Sequence, residues 1–588
     1  MKPEPNSPDI LSSLEQVTQY HHQTKHQFNQ YARSLGYLDW ANQPNPFRRY
    51  EGAPLIKLPL LSPEDQPVSP PYESLFSSET MPPQPLTLFS LSRFFEYALS
   101  LTAWKEYGST RWALRSNPSS GNLHPTEGYL LIGAIPGLKL ESGLYHYAPK
   151  EHALEHRWSV EPDTASDLFQ ALPPDAFLVG LSSIHWREAW KYGERAFRYC
   201  QHDTGHALGT MRIAAATLGW NLRLLDGLSD DTIGRLLGLS RKQDFDGVEQ
   251  EYPELLAVVW PLMKPAPAFI EIIHSLSHSD LFGKGAWNGR ANRLSKDEPV
   301  QWDIIDVVTE ATWKHDTTTD ESPGNLGSHS RRNKGEESSP TLVSNKTKSG
   351  ESIALSAGHI IHQRRSAVDF DGQTGMTADR FYLMLDRILP RASRQLPERP
   401  MPWDAWPWDP TVHLALFVHR IDGLEPGLYW FNRFPEHRRL PIFQAEMHSH
   451  FLWTKPDGCP DHLPLYLLEE GNGQKLAKQL SCGQDIAGDS AFSLGMLAEF
   501  DDPLQTFGPW FYKRLFWETG LVGQVLYLEA EAAGIRATGI GCFFDNPVHE
   551  VLGFHPKTTW QSLYHFTMGG PVDDGRLTTL PPYGNHLS

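Results

Sequence analysis

The stretch Arg115-Ser116-Asn117-Pro118-Ser119-Ser120-Gly121-Asn122-Leu123-His124-Pro125-Thr126-Glu127 brings short hydroxyls, amides and a Gly-bearing turn to the start of an apolar segment. Such a turn offers free backbone N–H groups and no bulky side chain, so a flat or phosphorylated ligand can lie against it. Lys191 and Tyr192 stand side by side further on. A Lys becomes a base when desolvation or a nearby cation lowers its pKa, and a Tyr can donate or relay a proton. His202 and His206 have the i, i+4 spacing of zinc ligands on a helix, but the Glu of an HExxH motif is absent. His21-His22-Gln23-Thr24-Lys25-His26 reads as a solvated helix start rather than a metal tract. No metal is expected.

The elements that position these residues follow from apolar periodicity. Residues Leu91–Leu101 read as an amphipathic helix, and about Asp203 to Leu218 as an Ala-rich helix closed by Gly219. Gly128–Ile135, Ala176–Ile184 and Leu255–Leu262 read as strands, and Trp302–Lys314 as a helix. No GxGxxG opens a strand–helix unit, so no Rossmann nicotinamide domain is indicated. At 588 residues the chain exceeds what one core supports. The net charge of −18 gives no basic footprint for nucleic acid. The four cysteines, Cys200, Cys459, Cys482 and Cys542, form no CxxC pair, which argues against a disulfide framework. With neither an apolar signal segment nor a run long enough to span a membrane, a soluble cytoplasmic protein is expected.

The second half of the chain repeats the first. At an offset of 315, Ala176-Phe177 falls on Ala491-Phe492, Gly193 on Gly508, Thr204-Gly205 on Thr519-Gly520, Gly219 on Gly534 and Leu237-Gly238 on Leu552-Gly553. Upstream the offset is near 284, where Gly143-Leu144-Tyr145 meets Gly427-Leu428-Tyr429. The strands of the second repeat are then His413–Ile421, Leu463–Leu468 and Ser562–Met568. The expected organisation is an N-terminal extension (1–80), a first domain (81–315), a disordered linker (316–352) and a second domain (353–588).

Arg115 to Glu127, Gly143-Leu144-Tyr145-His146-Tyr147 and Trp190-Lys191-Tyr192-Gly193-Glu194-Arg195, taken in this order, resemble the SagB-type dehydrogenases. These are FMN-dependent members of the nitroreductase superfamily, some of which oxidise azoline rings in ribosomal peptides. The resemblance covers roughly residues 85 to 260, with a weaker copy over roughly 355 to 580. It implies an α/β (α+β) fold, each domain a sheet flanked by helices. The family normally dimerises with FMN at the interface, so two copies imply a pseudo-dimer within one chain, compatible with a monomer.

The resemblance also implies site residues. Family members hold the FMN phosphate and the flavin's polar edge with an Arg-Arg-Ser, present here as Arg364, Arg365 and Ser366; the first repeat has Ser77-Ser78-Glu79 instead. A Gly-bearing segment passes the flavin ring, present as Gly539, Ile540 and Gly541, where the first repeat has Leu224-Leu225-Asp226. The turn Pro118, Ser119, Ser120, Gly121 and Asn122 is kept only in the first repeat, and the second carries Pro402-Trp403-Asp404-Ala405-Trp406. These complementary losses imply one composite FMN site and one dead site, with Arg576 as an added phosphate contact. Lys191 and Tyr192 match the Lys-Tyr that abstracts a proton in azoline oxidases, and the second repeat has Thr506-Phe507 there. The implied activity is dehydrogenation of a peptide-derived heterocycle or related C–N bond. NAD(P)H-dependent reduction of nitro compounds or quinones and a noncatalytic scaffold that binds a peptide or partner are the rival readings. The expected partner is a small-molecule or peptide substrate, without nucleic acid or membrane.

Overall fold

The computed structural model describes residues 11–77, 81–318 and 355–584, except 136, 139, 161–168, 263, 279–284, 299, 391–398 and 435–439. Most of the expected linker therefore lies outside the described residues. The fold is mixed α/β, with two antiparallel sheets flanked by helices.

The first sheet runs Ala286–Trp287, Ala153–Ser159, Gly143–Ala148, Thr126–Ile132, Phe177–Ser183, Tyr252–Pro261, Trp220–Leu224, with Leu55–Lys57 also pairing on Ala153–Ser159. The second runs Leu465–Glu470, Gly427–Phe431, Val412–Val418, Phe492–Glu499, Trp560–Gly569, Arg536–Ile540. Strand for strand, the second order matches the first without its outermost strand, Ala286–Trp287. The central strands are buried on both faces, which is why they read as continuous apolar runs.

Between the sheets lie two 22-residue helices, Ala196–Thr217 and Phe511–Ala532, packed on each other. Their crossing is set by a pair of glycines at matched positions. A Cβ on Gly205 would sit 2.1 Å from the Trp517 carbonyl oxygen, and one on Gly520 would sit 2.2 Å from that of His202. Only glycine lets the two backbones approach so closely. Buried ion pairs also join the repeats: Arg195 and Arg198 on Asp545, Lys513 on Asp230, and Arg212 on Asp404.

A third sheet is shared. The hairpin Leu101–Tyr107 and Thr110–Arg115 of the first repeat takes Thr578–Leu580, from the end of the chain, as its third strand. The sequence reading extended the preceding helix to Leu101. The structure places it at Leu88–Ala98, capped by Thr87, and starts a strand at Leu101. The run Ala98 to Ala103 alternates two leucines with Ser100 and Thr102 between alanines, too short a stretch for its period to mark where the helix stops.

The N-terminal region is not an appendage. Its helix Ser13–Gln23 buries His21 against Tyr512 and Gln561 of the second repeat, and Tyr72 donates to Glu529. The His21–His26 tract is thus the end of a helix and the turn after it, with His21, Thr24, Lys25 and His26 buried and His22 and Gln23 exposed, not a solvated start.

Candidate functional site

A cavity of about 700 Å³ opens between the repeats and the shared hairpin. That is within the usual size for cofactor sites. Pro118, Ser119, Ser120, Gly121 and Asn122 line it from the first repeat. Arg364, Arg365, Ser366, Gly539, Ile540 and Gly541 line it from the second. Residues some 250 to 420 positions apart are thus brought to one space.

The turn is held from beneath by Asp203 of the long helix. Its carboxylate accepts from the Ser120 amide at 3.0 Å and from Ser120 Oγ at 3.1 Å. Burial pushes Asp203 up to about 7, against the pull of the Ser119 and Ser120 hydrogen bonds. Tyr192 lines the cavity beside Tyr199, ring centroids 4.3 Å apart. Burial, reinforced by Glu188 and Tyr199, pushes the Tyr192 hydroxyl well above its ordinary range, so it keeps its proton. Lys191 is not part of the cavity wall, but it lies against the turn. A Cβ on Gly121 would come within 2.6 Å of Tyr192 Oη and 3.0 Å of Lys191 Nζ. Gly121 is also left-handed, at φ 58°, so the turn needs glycine twice over.

On the opposite side the Arg364 guanidinium donates to the carbonyls of Arg115 (2.8 Å) and Ser116 (3.3 Å). Arg365 donates to Thr102 Oγ1 (3.2 Å) and to the His362 carbonyl (2.8 Å). Neither guanidinium has a carboxylate within ion-pair distance among the described residues. Lys105 and Arg536, which the sequence reading missed, join them in the cavity wall. Among the described residues Lys105 Nζ meets only a hydroxyl, Thr579 Oγ1, at 2.7 Å, while Arg536 pairs with the exposed Asp573. Burial and repulsion act on members of this cluster: Arg365 is drawn down to about 10 by burial and then Arg364. Lys105 is lowered by burial, Arg365 and Arg536. A bound anion would relieve both costs. Several lining residues also carry buried polar atoms without hydrogen bonds: both amide atoms of Asn117, Arg115 Nε, His124 Nδ1 and His206 Nδ1. Unpaired cations and orphaned amide and imidazole atoms fit a ligand with an anionic end and a polar ring edge, as FMN has.

Two expectations change. Arg576 turns onto Asp574 at 2.7 Å, is 73% exposed and is absent from the cavity wall, because the neighbouring carboxylate captures it locally. The glycines of Gly539-Ile540-Gly541 line the cavity and also serve protein packing. A Cβ on Gly539 would meet Tyr564 Oη at 1.9 Å, and one on Gly541 would meet the Tyr199 ring at 2.0 Å. The Gly539 amide is itself donated to Tyr527 Oη, at 2.9 Å. His202 meets Thr519 Oγ1 (2.8 Å) across the helix pair, and His206 meets Tyr564 Oη (3.3 Å) on the strand Trp560–Gly569.

The mirror-related position is filled. Where the first repeat has Tyr199 the second has Arg514, and where the second has Gly541 the first has Asp226. Those two charged residues pair at 2.7 Å, with Trp510 and Trp517 stacked on the guanidinium. Trp403, Trp406 and Trp408 are buried nearby. Glu518, at the place of Asp203, is spent on Thr411 and Arg433. Ser77, the one described member of Ser77-Ser78-Glu79, only bonds the Ser74 carbonyl.

The fold and the paired repeats define a nitroreductase-like architecture, and comparisons agree. A crystal structure of a protein from Anabaena variabilis described as a nitroreductase superposes with a TM-score of 0.62 at 20% identity, over 95% of this chain and 99% of its own. A protein of Methanocaldococcus jannaschii named as a nitroreductase is 25% identical over 181 residues, 30% of this chain and 81% of its own length. The Escherichia coli microcin synthetase McbBCD complex, with truncated pro-MccB17 bound, matches 43% of this chain and 94% of its own at 18% identity, with a TM-score of 0.26 too low to decide anything. No family model matches the chain. Among the described residues no helix is long and apolar enough to cross a membrane.

Proposed function

We propose that this chain is an FMN-dependent oxidoreductase with a single flavin site built from both repeats. The observation that carries the reading is the cavity between them. Cations without carboxylate partners stand on one side of it, and a hydroxyl-rich turn braced by a buried carboxylate stands on the other. Its symmetry mate is closed by an Arg514–Asp226 ion pair. Arg364, Arg365, Lys105 and Arg536 would hold the phosphate, and the Ser119–Asn122 turn with Asn117 the polar ring edge. Bound there, the flavin would supply the hydride acceptor.

The chain's own residues supply the proton chemistry. Tyr192 keeps its proton and donates a hydrogen bond into the cavity. Lys191, packed on the same turn, takes up a substrate proton through it. Asp203 fixes the turn on which both rest. This arrangement favours dehydrogenation of a heterocycle or related C–N bond in a small-molecule or peptide substrate over nitro or quinone reduction, which needs no protein base.

The test is flavin released from the purified, FMN-reconstituted chain, quantified against protein. The expected ratio is one. A ratio of two would refute the composite site. A ratio of zero would leave a noncatalytic scaffold.

A further inference from the structure

Beside the cavity, three side chains that the flavin reading does not use converge: His26, Cys482 and Cys542. Their ligand atoms all lie within 4.8 Å of one another. His26 Nδ1 is 3.6 Å from Cys542 Sγ. Zinc bonds of roughly 2.0–2.1 Å to nitrogen and about 2.3 Å to sulfur, at a tetrahedral angle, place those two ligands about 3.6 Å apart. The observed separation already has the length that a shared ion requires.

Each ligand is brought there by its own backbone. The His26 amide donates to the buried Asp545 carboxylate at 2.9 Å, and Lys25 bonds Asn546 at 3.1 Å, so the N-terminal arm is clamped to the second repeat just where the imidazole is needed. Cys482 sits after the helix Gln474–Leu480 with φ 56°. That left-handed conformation costs a non-glycine residue energy, and such strain persists where the surroundings fix it. Gln484 joins the two cysteine loops by donating to the Ser481 carbonyl (2.8 Å) and the Cys542 carbonyl (3.0 Å). Cys542 and Gln484 both line the cavity, whereas Cys482 is partly exposed and open to exchange with solvent.

We propose that His26, Cys482 and Cys542 form a site for a thiophilic divalent cation, Zn²⁺, at the wall of the cavity. Binding forms two S–Zn bonds and one N–Zn bond, and the two thiol protons pass to solvent. No fourth His, Cys or carboxylate joins the group among the described residues. Three protein ligands leave one coordination position for water or an exchangeable donor, the pattern of open rather than closed zinc sites. The ion ties the N-terminal arm to the second repeat.

The test uses the full-length chain, reduced, loaded with Zn²⁺ and desalted. Zinc is measured by mass spectrometry, and flavin by absorbance on the same samples. One zinc per chain is expected, whether or not flavin is present. Cys482→Ser and His26→Gln should each weaken zinc at least tenfold in competition with a chromophoric chelator. Zinc should also protect Cys482 and Cys542 of the wild type from alkylation, a readout that does not depend on any variant folding. Absence of zinc from the loaded wild type, or affinity unchanged in the variants, would overturn the site. So would unprotected thiols, or a Cys482–Cys542 disulfide that persists under reductant.

Discussion

Replacing Arg365 by Ala tests the anionic end of the cavity. The guanidinium is held by Thr102 and main-chain carbonyls, with no carboxylate in ion-pair range among the described residues. The Glu531 carboxylate accepts from the Arg365 main-chain amide and not from its guanidinium, so the side-chain charge is only partly offset until an anion arrives. A hydrogen bond to a charged group contributes about 1.5–3 kcal/mol, so its loss should weaken FMN roughly ten- to a hundredfold. Arg364 is a poorer probe, because it also ties the second repeat to the Arg115 and Ser116 carbonyls. The assay is flavin fluorescence quenching on apoprotein with FMN and with riboflavin, which lacks the phosphate. Wild type should prefer FMN, and Arg365→Ala should erase most of that preference while leaving riboflavin binding nearly unchanged. Equal loss of both ligands would mean that Arg365 is structural. No loss of either would remove the phosphate from this end of the cavity.

Lys191→Ala or Tyr192→Phe should leave flavin bound but slow anaerobic bleaching by a thiazoline or oxazoline peptide about 10²–10⁴-fold; wild-type rates in both variants would make the pair structural. Asp545, although pushed up by burial, is held down to about 2 by Arg195 and Arg198. Its folded pKa lies below the unfolded value, so the stability it contributes, about 2 kcal/mol, is present above roughly pH 4 and lost as pH falls toward 2. Denaturant melts should show a shallower loss over that window in Asp545→Asn, and identical slopes would count against the assignment. Gly205→Ala should destabilise by about 1–3 kcal/mol through the clash with the Trp517 carbonyl, despite the better helix propensity of Ala. A stabilised variant in thermal melts would show that the helices do not cross there.

The repeat was legible because its markers are backbone-determined. Gly205 and Gly520 must be glycine for the helices to touch, so their spacing survives in the sequence. The turn and Arg364-Arg365 were legible for the same local reason, being contiguous. Asp203 was not. A single acid inside an Ala-rich helix carries no pattern, and only the hairpin and turn above it show that it is buried. Lys105 depends on the strand Thr578–Leu580 crossing back to residues 104–106, and Arg536 on the pairing of its strand with Trp560–Gly569, neither with a local signature. His26, Cys482 and Cys542 were invisible as a group, because up to 516 positions separate them. Gly539 and Gly541 line the cavity and also admit Tyr564 and Tyr199, a second close approach that has no signature in the sequence.

The Arg514–Asp226 pair has a further consequence. In a symmetric homodimer every residue occurs at both interfacial sites, so no substitution can improve one without altering the other. Two copies on one chain lift that constraint. A charged pair under indole rings can then make one side of the interface rigid while the other stays open and hollow. The filled half acts as the keel of the molecule. The half that carries the cavity holds orphaned amides and crowded cations that a symmetric protein would have to bear twice.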